Sequence, residues 1–207
     1  TEFETAIREV KEETNIDIKI EKENREVLNA LIAKINQKAG LHIQIIYDEP
    51  KCFNSMMAHY GKFDGVNNYI ALVGEKSKSD ESLGYYGEQI VLKAQELGLN
   101  TCWVAMTHGK SKAQIDKGEK LVCLISLGYG KTAGVAHKSK KLSEVCNYKK
   151  DMPEWFLSGM EAALLAPTAM NRQKFYFELL PDNSIKITCG KGLYTKLDLG
   201  IVKYHFE

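Results

Sequence analysis

Between residues 84 and 105 the hydrophobic period of the chain switches from helical to extended across one glycine, which specifies a helix running directly into a strand. Tyr86, Ile90, Val91, Ala94 and Leu97 recur at helical spacing and mark the buried face of an amphipathic helix over 84–97. Gly98 stands where that helix needs a residue able to take a left-handed conformation. Residues 101–105 then read as a strand. A second β-rich run at 121–127 lacks alternation, which predicts a strand buried on both faces.

The rest of the chain fills in around this pair. Val27, Leu28, Leu31, Ile32 and Ile35 predict a helix over 25–37 stopped by Gly40, preceded by a further helix near the start of the chain. Residues 42–47 read as a strand ending before Asp48 and Pro50, and 69–73 as another closed by Gly74. The polar stretch 75–82 reads as a solvated loop. In the last third, a helix over 154–165, a loop and a strand over 175–180 repeat the plan of 25–47, and 198–207 reads as the start of a helix answering 84–97. The chain is therefore read as one domain, 1–207, with two candidate pseudo-symmetric halves, 1–150 and 151–207, the second cut short.

Charge and composition remove several classes of function. A net charge of +1 with interspersed Lys and Glu provides no basic face for nucleic acid. The apolar runs fall far short of the roughly 20 residues a bilayer span needs, and the start has no signal-peptide pattern, so no membrane partner and a cytoplasmic location are expected. Cys52, Cys102, Cys123, Cys146 and Cys189 are an odd set without a C-x-x-C pair and read as reduced thiols. His42, His59, His108, His137 and His205 are scattered and imply no metal site. There is no G-x-S-x-G elbow. Gly130-Lys131-Thr132 invites a P-loop reading, but Ile125 occupies the place of the first glycine and Gly134 breaks the helix that should follow.

Three segments together carry a family resemblance. The stretch 84–104, with its Ala94-Gln-Glu-Leu-Gly-Leu99 and Cys102-Trp-Val104, resembles the nitroreductase family's core helix and following strand. Ala166-Pro-Thr-Ala-Met-Asn171 with Gln173 resembles the family's A-P-S-x-x-N-x-Q-P-W-x-F segment, with Lys174-Phe175 in place of Pro-Trp. Leu127-Gly-Tyr-Gly130 and the lysines at 138–141 resemble its late strand and basic phosphate-contacting stretch. The match is to a divergent branch of that family. The usual R-R-S-x-R motif is replaced by Arg8 and a glutamate-rich run, and the Ala-Pro segment follows the Cys-Trp segment where it normally precedes it.

The resemblance implies a mixed α+β fold with a central, mostly antiparallel sheet flanked by helices. It also implies an FMN-dependent oxidoreductase that takes electrons from NADH or NADPH and passes them to a small nitroaromatic or quinone-like acceptor. Carried over, Val104, Ala105, Met106 and Thr107 flank the flavin ring, Pro167, Thr168, Ala169 and Asn171 supply further flavin contacts, and Lys138 and Lys140 meet the phosphate. No protein acid, base or nucleophile is required, because the cofactor carries the reaction. The displaced motif order suggests a monomer whose halves imitate two subunits, with a homodimer as the alternative. A flavin- or ligand-binding protein without turnover is the rival reading.

Overall fold

The computed structural model of the chain describes residues 19–61, 63–76, 80–130, 134 and 136–207. The helix expected near the start, the Arg8 segment and most of the Gly130-Lys131-Thr132 stretch lie outside the described residues. The chain divides into two compact units, Thr1–Lys76 with Ile90–Gly134 and Ser77–Gln89 with Val135–Glu207.

The first unit is built on a four-stranded antiparallel sheet. Helix α1 (Lys22–Ala39) turns Leu28, Ile32 and Ile35 inward and ends where Gly40 takes φ 63°. Strand β1 (Gln44–Ile46) follows, then a 3-10 turn at Pro50–Cys52 and the short helix α2 (Met56–Tyr60), neither of which the sequence reading foresaw. Strands β2 (Asn68–Glu75), β3 (Asn100–Val104) and β4 (Glu119–Gly128) complete a sheet of order β1-β2-β4-β3. Asn68 through Gly74 are buried without a break, as are Cys123 through Leu127. The two-faced burial expected of the 121–127 run is seen at 123–127, with Leu121 and Val122 half-buried, and β2 shares it. Cys52, Phe53, Tyr69, Ala71, Val73, Val104 and Leu124 form one core cluster, against which Leu121 packs.

The pairing of β2 with β4 contains a bulge. Leu72 faces Cys123 while Val73 faces Leu121, so Val122 is the extra residue.

Helix α3 (Asp80–Glu96) contributes its residues through Gln89 to the second unit and the rest to the first. It starts inside the polar segment 75–82, expected to be loop, and Glu75 belongs to β2. Asp80 and Glu81 look like loop residues by polarity, yet acidic side chains are favourable in a first helical turn, where the helix dipole presents positive charge.

In the second unit, helices α4 (Leu142–Val145), α5 (Glu154–Ala163) and α6 (Thr195–Phe206) accompany a two-stranded antiparallel ribbon of β5 (Phe175–Leu179) and β6 (Ile185–Cys189). Strand β6 and helix α4 were not foreseen, and α6 begins at Thr195 instead of 198. The core is aromatic: the ring of Phe206 lies 4.9 Å from that of Phe177 and 6.1 Å from that of Phe156. Within this unit α6 crosses the start of α3 with backbones almost touching. A Cβ placed on Gly200 would lie 1.9 Å from the Glu81 carbonyl oxygen, and one on Gly84 would lie 2.0 Å from that of Leu197. His205 Nε2 meets the buried Glu88 carboxylate at 2.8 Å across the same crossing.

Candidate functional site

In the first unit the proposed ring-flanking segment leaves the end of β3. Val104 is buried, Ala105 and Thr107 are half-buried, and Met106 is 65 % exposed. A short backbone bond from Gly109 N–H to Cys52 O, 2.6 Å, ties the chain just beyond it to the 3-10 turn. A strand end pinned in this way presents backbone and small side chains in a fixed place, while Met106 offers an adaptable apolar surface.

In the second unit the candidate residues lie on two segments that are bonded to each other. Helix α5 ends at Ala163, and residues 164–174 return to β5 through a 3-10 turn at Ala169–Asn171. Met170, Asn171 and Gln173 hold φ of 54°, 51° and 45°, left-handed values that side-chain-bearing residues rarely adopt. Each such residue costs on the order of 1 kcal/mol or more and persists only where the surroundings enforce it. The enforcing residue is Gln173, 2 % exposed. Its Oε1 accepts the Lys140 N–H at 2.8 Å, and its Nε2 donates to Lys138 O at 2.8 Å and Asn171 Oδ1 at 2.7 Å. Its backbone N–H donates to Thr168 Oγ1, and its carbonyl accepts from Lys140 Nζ, both at 3.0 Å. Asn171 Nδ2 adds a bond to Lys138 O at 2.9 Å.

Lys138, Lys140, Thr168 and Asn171 are thus brought together, but not on equal terms. The side chains of Lys140 and Asn171 are engaged within the loop pair. The ammonium of Lys138 and the guanidinium of Arg172 are exposed and have no hydrogen bond or ion pair among the described residues. The Thr168 hydroxyl accepts one bond and keeps its own proton to donate.

A family model described as "Putative TM nitroreductase" matches residues 13–207. The chain belongs to this nitroreductase family. Among solved structures, a "putative nitroreductase" from Thermotoga maritima aligns with a TM-score of 0.67 at 22 % identity, covering 92 % of this chain and 75 % of its own. At that identity the likeness shows the shared fold. An "FMN-dependent nitroreductase" from Clostridium difficile aligns at 21 % identity and TM-score 0.45, covering 67 % of this chain and 91 % of its own. A "putative NADH dehydrogenase/NAD(P)H nitroreductase" from Bacteroides thetaiotaomicron gives 17 % and 0.48, covering 63 % and 86 %. No curated protein matches the chain.

Nitroreductase membership makes the chain an oxidoreductase of the flavin-using kind. A flavin nucleotide needs cations or N–H groups for its phosphate and donors for the polar edge of its ring. The loop pair of this nitroreductase fits that need with Lys138, Arg172 and the Thr168 hydroxyl, whereas Lys140 and Asn171 act on the loop itself.

Asp198 on α6 holds the same loop from beneath, its Oδ1 accepting the Ala169 N–H at 3.0 Å. Burial pushes its carboxyl up to about 6, against the opposing pull of that hydrogen bond. A carboxyl whose folded value lies above its unfolded one binds more protons folded, so this group's contribution falls as pH rises from about 4 to about 6. We expect Asp198→Asn to be more stable than the parent above pH 6 and to lose that advantage toward pH 4. Urea melts of both proteins at several pH values check this, and a constant difference would show that Asp198 does not titrate there.

Gln173 and Asp198 were absent from the sequence-derived site. Gln173 stands at the Q of the motif that 166–175 resembles, which is the signal that could have found it; Asp198 had no local signal. The scattered histidines also hide one grouping: His42, Asp116 and Glu119 put ligand-capable atoms within 4.8 Å of one another. Glu119 accepts from His42 Nδ1 and from Asp116 N–H, both at 2.8 Å, and chiefly the His42 bond holds its carboxyl below the usual range. The five thiols are all free, and burial, with Glu49 nearby, pushes Cys52 up to about 11, which makes it an inert core thiol.

Proposed function

We propose that this nitroreductase is an FMN-dependent enzyme that draws electrons from NADH or NADPH and reduces nitroaromatic or quinone-like small molecules. The observation that supports the reading is the strained, cross-bonded loop pair of the second unit, whose two mutually bonded segments carry a hydroxyl donor, Thr168, and two unengaged cations, Lys138 and Arg172. The flavin supplies reversible hydride chemistry when bound. The chain's part is binding and orientation. Lys138 and Arg172 hold the phosphate and Thr168 donates to the ring's polar edge. Pro167, Ala169, Asn171 and Lys140 shape the loop that presents them, and Val104, Ala105, Met106 and Thr107 flank the ring. The five free thiols support a reducing, cytoplasmic setting.

The deciding experiment is the visible spectrum of FMN-loaded protein before and after anaerobic NADH and NADPH. Bleaching of the bound flavin is expected; a protein that ignores FMN, or holds it without accepting electrons, refutes the reading. Lys138→Gln should weaken FMN about tenfold, as a lost charge-assisted hydrogen bond does, and leave riboflavin nearly unchanged. Equal weakening of both would remove Lys138 from the phosphate. We further propose that 1–150 and 151–207 imitate two subunits, so that flavin stays bound when the protein is diluted. Release of flavin in step with dimer dissociation, followed by sedimentation and flavin fluorescence, would instead mean sites shared between copies.

A further inference from the structure

The first unit contains an open cleft of about 680 Å³ that the flavin reading does not use. At its floor stands Glu49, 2 % exposed, whose Oε2 accepts the Cys52 N–H at 3.2 Å and the Tyr69 hydroxyl at 3.3 Å. The Tyr69 hydroxyl in turn accepts the Lys112 N–H at 2.9 Å. Lys51, Lys110 and Lys112 line the cleft, and the Lys112 ammonium lies 3.9 Å from the other Glu49 oxygen. Lys51 and Lys110 have no hydrogen bond or ion pair among the described residues.

Lysines on a loop are ordinarily just solvated. Here the backbone that carries them is held by a buried polar network, and three lysines and one carboxylate line the concave surface, an excess of two positive charges. Such a surface concentrates its field on an incoming anion. We infer that this cleft is a subsite for the acidic group, phosphate or carboxylate, of a small redox substrate. Its wall at 109–113 begins two residues beyond Thr107, in the same unit as the segment proposed to flank the ring. The inference therefore rests on the proposed function and narrows its substrates to those with an anionic group: the phosphates of the nicotinamide donor or the acid group of an acceptor.

The test uses the full chain and the double variant Lys51→Gln/Lys110→Gln, which leaves the Lys112–Glu49 pair in place. Adenosine 2′,5′-bisphosphate and 4-nitrobenzoate are titrated calorimetrically at low salt, each beside its uncharged counterpart, adenosine or nitrobenzene. At least one anionic probe should bind roughly tenfold more weakly to the variant, and more weakly to the parent at about 0.3 M salt, with the uncharged partners unaffected. Loss confined to the bisphosphate assigns the cleft to the donor, and loss confined to the nitrobenzoate assigns it to the acceptor. If neither probe responds to the lysines, the inference is overturned. Because the titration needs no turnover, lysine-dependent binding by a protein that takes up no flavin would sink the proposed function alone.

Discussion

Alanine at position 200 should destabilise the second unit by about 3 kcal/mol, at the upper end of what overpacking usually costs. The added methyl would meet backbone on two sides, 1.9 Å from the Glu81 carbonyl oxygen and 2.6 Å from the Tyr85 nitrogen. Backbone atoms cannot step aside by changing rotamer, so α6 would have to move away from α3 along the whole crossing. The Lys203–Glu81 and His205–Glu88 pairs would loosen with it. Gly84→Ala should behave alike, since its methyl would strike the Leu197 carbonyl. The sign is informative, because alanine in an open helix is favoured over glycine by about 1 kcal/mol. Thermal melts should show a fall of roughly 6–12 °C for a chain of this size. A rise would mean that the two helices stand further apart.

Gln173→Leu should cost about 3 kcal/mol and strip the protein of tightly held flavin. The leucine fills the space but leaves the part-buried Lys140 N–H without its acceptor and takes the Gln173 donor from Lys138 O and Asn171 Oδ1, and a polar group left unsatisfied costs on the order of 1–3 kcal/mol. The left-handed conformations at 170, 171 and 173 then lose their restraint. Gln173→Glu separates the two halves of the contact, since it keeps an acceptor for Lys140 and loses the donor to Lys138 and Asn171. It should fall between the parent and the leucine variant. Denaturant melts and FMN titration on the same samples measure both effects. Parent-like stability of Gln173→Leu would show that the side chain is solvated and the loops are held by something else.

Much of the fold was legible because the chain punctuates itself. Gly40 and Gly98 do take the left-handed caps expected of them, and the unalternating run at 121–127 is a strand, buried on both faces at 123–127. The elements that escaped are short: α2 with five residues, α4 with four, β6 with five. In such spans neither period has room to declare itself. Of the candidate site, the 166–171 segment could be seen because its Pro, Thr and Asn lie together in sequence. The hold that Gln173 exerts could not, because its partners Lys140 and Lys138 lie 33 and 35 positions away. The Glu49–Tyr69–Lys112 network spans comparable separations and was invisible for the same reason.

The extra residue at Val122 also bears on how this sheet could have changed through time. In a strand with buried faces, gaining or losing one residue swaps inside for outside along everything beyond the change. Leu121 and Leu124 are three positions apart and yet both meet the cluster around Tyr69, Ala71 and Val73, which strict alternation forbids and the bulge permits. The bulge therefore absorbs one residue without changing the face that Leu121 takes. A descendant that lost Val122 alone would return the strand to regular alternation with Leu121 still opposite Val73 on the core side, so this one deletion could persist without a compensating change. Relatives that lack the extra residue should keep the same apolar positions on either side of it.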